Sequence, residues 1–105
     1  MARIPTLLAT KRTLSFEFFP PKTPAANLTL GRTVAAIESL DPDFVSITYG
    51  AGGSDRHRTG EVVTWMISET SWTPMPHLTC RGHRRADVVS LLDTYADLGI
   101  ENILA

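Results

Sequence analysis

From Thr13 onward, short runs dense in β-branched and aromatic residues alternate with longer runs in which apolar residues return every three or four positions. The first short run, residues 13–19 (TLSFEFF), stops at Pro20-Pro21, two residues with no amide proton to continue a ladder. A helix is expected next. Leu30, Val34 and Ile37 mark one apolar face, and the segment ends near Asp41-Pro42. A second strand over 43–49 (DFVSITY) runs into a glycine-dense loop, Gly50-Ala51-Gly52-Gly53. A second helix is predicted from Thr59 to about Thr70, and a third strand over 75–80 (MPHLTC). The third helix presents Val88, Leu91, Leu92, Tyr95 and Leu98, with Gly99 placed to close it, and 101–105 (ENILA) opens a fourth strand. Residues 1–12 show no sustained periodicity and are read as a mobile lead-in; residues 13–105 form the structured unit.

Four strands alternating with three helices imply βαβ units, and therefore parallel strands joined by right-handed crossovers. Two architectures meet this pattern: an open doubly wound sheet and an arc of a (β/α)₈ TIM barrel. Alternation within each strand puts Ser15/Glu17, Ser46/Thr48 and His77/Thr79 on one face, with Leu14/Phe16/Phe18, Val45/Ile47 and Leu78/Cys80 on the other. An open sheet buried on both sides reads as nearly continuous apolar residues. The polar face in three successive strands therefore favours a barrel lumen, although a polar crevice at a switch point in an open sheet produces the same pattern.

Composition adds limits. The chain has 105 residues, 43% of them hydrophobic and 20% charged, as in an ordinary globular domain rather than a disordered or fibrous one. Ten Lys+Arg against eleven Asp+Glu leave a formal charge of −1, so no overall basic field points to nucleic acid or an anionic membrane. No apolar run approaches the roughly 20 residues of a transmembrane helix, and no signal-peptide pattern opens the chain. A single cysteine, Cys80, agrees with a reducing compartment, and the expected location is cytoplasmic.

Among residues able to carry chemistry, Glu17 stands out. It lies between Phe16 and Phe18, close to the carboxyl end of its strand, where active sites of both architectures gather. A carboxylate held among aromatic rings loses hydration, which favours its protonated form and suits it to donate a proton; a Glu at a solvated strand end is the plainer alternative. Two basic clusters, Arg56-His57-Arg58 and Arg81 with His83-Arg84-Arg85, are expected at one rim, where they would suit a pyrophosphate or carboxylate, or serve simply as solvated loops. His77, Cys80 and His83 do not read as a metal centre, because His77 and Cys80 point to opposite faces of a strand. Cys80 reads as a small apolar residue, and Trp65 and Trp72 as packing residues.

The segments SFEFFPPK (15–22), DFVSITYGAGGS (43–54), PHLTC-x-GH-x-RA (76–86) and GIENILA (99–105) resemble the amino-terminal part of the methylenetetrahydrofolate reductase family, in order and at the expected separations. The resemblance implies a barrel that binds FAD and uses NADH or NADPH to reduce 5,10-methylenetetrahydrofolate to 5-methyltetrahydrofolate, for methionine synthesis. It implies that Glu17 is the general acid that opens the folate's five-membered ring. It also implies that Thr48, Tyr49, Ala51 and His77 line the flavin. His57 stands where members of the family usually carry an acid, and Asp55 where they usually carry a small polar residue. The family continues past the position of Ala105 with an Arg-Gly-Asp loop and four further strands. A (β/α)₈ barrel takes about 250 residues, so this chain supplies part of one, to be completed by a second chain or by self-association; the alternative is an inactive fragment or assembly module.

Overall fold

The computed structural model describes residues 2–49 and 56–105. Its elements in chain order are α1 (Ile4–Thr10), β1 (Ser15–Phe18), α2 (Pro24–Ile37) continued by a 3₁₀ turn (Glu38–Leu40), β2 (Phe44–Ile47), α3 (Arg56–Glu69), β3 (Pro74–Pro76) and α4 (Arg85–Asp97). The three strands form a parallel sheet in the order β1-β2-β3. A parallel bridge between His77 and Leu104, with Leu78 N–H donating to Leu104 C=O at 2.8 Å, puts the start of the fourth run beside β3. Chain order and spatial order therefore agree from β1 to Leu104.

Local chemistry sets the helix ends. Thr23 caps α2, its side chain accepting the Ala26 amide at 3.1 Å, with Pro24 in the first turn, where its missing N–H costs nothing. Helix α4 begins with the Asp87 carboxylate accepting the Arg84 amide at 2.8 Å. It ends on Gly99 at φ +80°, where the Gly99 amide reaches Ala96 and the Ile100 amide reaches Tyr95, the double closure that favours glycine.

Register places Phe16 beside Val45 and Phe18 beside Ile47. Against this face pack Val34 of α2, Val62, Val63 and Met66 of α3, and Tyr95 of α4, forming one buried cluster completed by Trp72 and Ile100. Trp72 stacks on Phe18, centroids 6.5 Å apart and planes 14° from parallel. All three crossover helices thus contribute to the core on the same side of the sheet. That is consistent with an arc of a (β/α)₈ barrel, since right-handed crossovers between strands taken in unbroken order place their helices on one face. Among the described residues no helix is long and apolar enough to cross a membrane.

Several expectations need correction. The lead-in forms helix α1, Ile4 is buried, and Asn102 ties it down: its side-chain oxygen accepts the Ile4 amide at 2.8 Å and its amide donates to Ala2 C=O at 2.7 Å. Helix α3 starts at Arg56 rather than Thr59, so its basic residues form a helical turn and not a loop. Strand β3 stops at Pro76, and Cys80 is exposed in a turn at φ 61°, not packed in the core. The fourth run is represented by the bridge at Leu104 alone.

Candidate functional site

The face opposite the core is where the polar residues meet. Register sets Glu17 directly beside Ser46, and Ser46 beside Met75. His77 lies two residues beyond Met75 on the same face, its amide bonded to Ile47 C=O at 2.9 Å. Two side chains converge on one oxygen of Glu17. The Ser46 hydroxyl donates to Oε1 at 3.3 Å, and His77 Nε2 stands 3.5 Å from the same atom. Nε2 is shut off from solvent yet has no hydrogen bond among the described residues, because its approach to Oε1 lacks hydrogen-bond geometry. Alternation carries Thr48 to this face as well, next along β2 after Ser46, and its carbonyl accepts the Thr59 hydroxyl of α3 at 2.8 Å.

The expected desolvation of Glu17 is not present in this chain. Its side chain is 52% exposed, because Phe16 and Phe18 point to the other face, as alternation requires. The carboxylate is held from beneath by Ser46 and His77 and open above. The arrangement can orient a carboxyl group, leave Oε2 accessible, and present a histidine nitrogen with unused bonding capacity.

Tyr49 lies elsewhere. Its side chain is 1% exposed on the helix side of the sheet, with its hydroxyl hydrogen-bonded to His83 Nε2 and the two rings tilted at 36°. Any contact between Tyr49 and a ligand on the polar face would fall to its backbone. Ala51, together with Asp55 and the glycine-dense loop, lies outside the described residues. Among the described residues the two basic clusters approach each other at their histidines: His57 and His83 line a cavity of about 280 Å³ with Tyr49, Asp87, Ser90 and Thr94. An acid, Asp87, shares that lining, and Arg81, Arg84 and Arg85 are exposed. A hollow of about 720 Å³ runs between α2 and α3 past Leu28 and Trp65 and includes none of the polar-face residues.

Ser46 was visible in the sequence as a polar-face residue, but its contact with Glu17 depends on strand register, which no local pattern reports. A hydroxyl in an otherwise apolar strand was the available signal, since a buried hydroxyl without a partner is costly.

Parallel strands in unbroken order, with helices on one face and a carboxylate-histidine pair near the strands' carboxyl ends on the other, define an α/β protein with a candidate site at the end where such sheets carry their chemistry. Comparison with known proteins supplies the family. The model of the family described as methylenetetrahydrofolate reductase matches residues 3–105, and the chain belongs to that family. It is 39% identical over 92 residues to the 5,10-methylenetetrahydrofolate reductase of Salmonella typhimurium, covering 88% of this chain and 31% of that protein. The protein of the same description from Escherichia coli strain K12 is 37% identical over the same coverage. Methylenetetrahydrofolate reductase (NADH) 1 of Arabidopsis thaliana is 38% identical over 91 residues, 87% of this chain and 15% of that protein. The chain spans about a third of the length of the bacterial relatives it matches.

Proposed function

We propose that this chain forms the first arc of a (β/α)₈ barrel that reduces 5,10-methylenetetrahydrofolate to 5-methyltetrahydrofolate with FAD and NADH or NADPH, and that Glu17 is the acid of the folate step. The observation that carries this reading is the convergence of Glu17, Ser46 and His77 on the sheet face opposite the helices. Family membership supports the reaction class, and the name of the Arabidopsis thaliana relative, methylenetetrahydrofolate reductase (NADH) 1, supports a nicotinamide as reductant.

The residues present fit a flavin. The polar face offers a hydroxyl at Thr48 and, at His77 Nε2, a nitrogen that has no hydrogen bond, which is the kind of group a bound cofactor satisfies. Thr48 and His77 would hold it by their side chains, with Tyr49 contributing through its backbone; Ala51, which the resemblance also assigns to the flavin, lies outside the described residues. Bound there, it supplies the store of two electrons that passes between nicotinamide and folate. Glu17 supplies the proton. Its carboxyl delivers it to the folate ring nitrogen as the bond from that nitrogen to the one-carbon bridge breaks, which leaves the bridge as an electrophilic iminium. Ligands and the remaining barrel strands would cover the open side of Glu17, removing the water that now competes for the proton.

The test is Glu17→Gln in a complete, FAD-loaded reductase carrying this segment, with the half-reactions followed separately by rapid mixing. Folate reduction is expected to fall by about 10²–10⁴ while flavin reduction by the nicotinamide stays within about threefold, the pattern of a lost general acid. Equal losses in both would assign Glu17 to structure and overturn the proposal.

A further inference from the structure

Strands of a parallel sheet lie about 4.8 Å apart, so a side chain from β1 and one from the residue that follows β3 must lean together over β2 to touch. Glu17 and His77 do so, with 3.5 Å between Oε1 and Nε2. The residue beneath them is Ser46, in direct register with Glu17 and only 8% exposed on a face where the Glu17 side chain is 52% exposed. Its small side chain leaves room for the crossing, and its hydroxyl donates to Oε1 at 3.3 Å. Among the described residues Oε2 has no partner.

We infer that Ser46 is the positioning residue of the acid: by binding Oε1 beside His77 it fixes the carboxyl group about its terminal torsion, so that Oε2 is the oxygen that carries and releases the proton. The inference rests on Glu17 being the acid. Ser46 does not itself meet the substrate. Because the terminal torsion of Glu is broad and soft, a carboxyl group without this anchor spends much of its time with neither oxygen aimed at the folate nitrogen. Its loss slows proton delivery without touching the binding of either ligand.

The experiment uses the complete, FAD-loaded reductase with Ser46→Ala, Ser46→Thr and Ser46→Cys. In Ser46→Ala the maximal rate of folate reduction is expected to fall about tenfold, the worth of one hydrogen bond to a carboxylate, with KM for folate within about twofold. The rate of flavin reduction by the nicotinamide is expected to stay at the wild-type value. Ser46→Thr, which keeps a hydroxyl, restores the folate rate to within about threefold. Ser46→Cys matches serine in shape with a weaker donor and should show the same selective loss; it decides the matter if the alanine variant fails to retain FAD. A wild-type folate rate in the cysteine or alanine variant overturns the inference, as does a parallel fall of both half-reactions that threonine does not rescue. A Glu17→Gln enzyme with an unchanged folate rate removes the acid assignment itself, an outcome distinct from either.

Discussion

Replacing Tyr95 by phenylalanine is expected to stabilise this protein. Tyr95 is 1% exposed in the cluster of Val63, Met66 and Trp72, and its hydroxyl is buried with no hydrogen-bond partner among the described residues. Burial, followed by the neighbouring Tyr49, pushes its pKa from 10.0 up to about 12. A buried hydroxyl left unsatisfied costs about 1–3 kcal/mol, while the ring supplies the apolar contacts. Phenylalanine keeps the ring and removes that cost, so Tyr95→Phe should gain about 1 kcal/mol at neutral pH, roughly 4–8 °C in Tm for a unit of this size. The alkaline limb gives a second sign. The unfolded state ionises Tyr95 from pH 10 upward, while the folded state holds it neutral to about 12. The folded state then binds more protons than the unfolded one, so wild-type stability falls across that window and the Tyr95→Phe variant lacks that part of the fall. Urea unfolding of both proteins at neutral pH and above pH 10 measures both effects. A variant less stable than wild type by 1 kcal/mol or more (about the worth of one net hydrogen bond), or alkaline limbs that run parallel, would show that the hydroxyl has a partner and refute the reasoning.

Two further outcomes follow from contacts distant in sequence. Asn102→Ala leaves the buried Ile4 amide without its acceptor and frees the Ala2 carbonyl; a loss of about 2 kcal/mol in denaturant titration is expected, with faster tryptic cleavage at Lys11 and Arg12. The Lys11 ammonium, 2.6 Å away, and then the Leu14 amide hold the Asp43 carboxyl below its ordinary 3.8. That contribution is present above pH 3.8 and disappears as pH falls through the lowered value, so acid unfolding followed by circular dichroism should show a component in wild type that Asp43→Asn lacks.

Periodicity within a segment was legible; what depends on a distant partner was not. The apolar spacing of Leu30, Val34 and Ile37 located α2, and Gly99 marked the end of α4 because a left-handed closing residue favours glycine. Helix α1 escaped because its seven residues lack a capping side chain and are anchored by Asn102, 98 positions from Ile4. Pro5 in its first turn was the one local sign. Charge misled at His57 and Arg58, since exposed positions near the start of a helix tolerate the same residues as a loop. Strand alternation alone puts Glu17, Ser46 and His77 on one face. The same alternation sends Phe16 and Phe18 to the opposite side, so their adjacency in sequence did not desolvate the carboxylate. Tyr49 follows the same rule: one residue past Thr48, it faces the helices and bonds His83.

The most direct measurement is a high-resolution crystal structure of a complete reductase carrying this segment, read at the Glu17 carboxyl group. Oε1 should lie within contact of both Ser46 Oγ and His77 Nε2, with Oε2 turned toward the open side of the sheet. A carboxyl group turned away from both, or a His77 ring on the helix side, would contradict the site and the proton chemistry assigned to it.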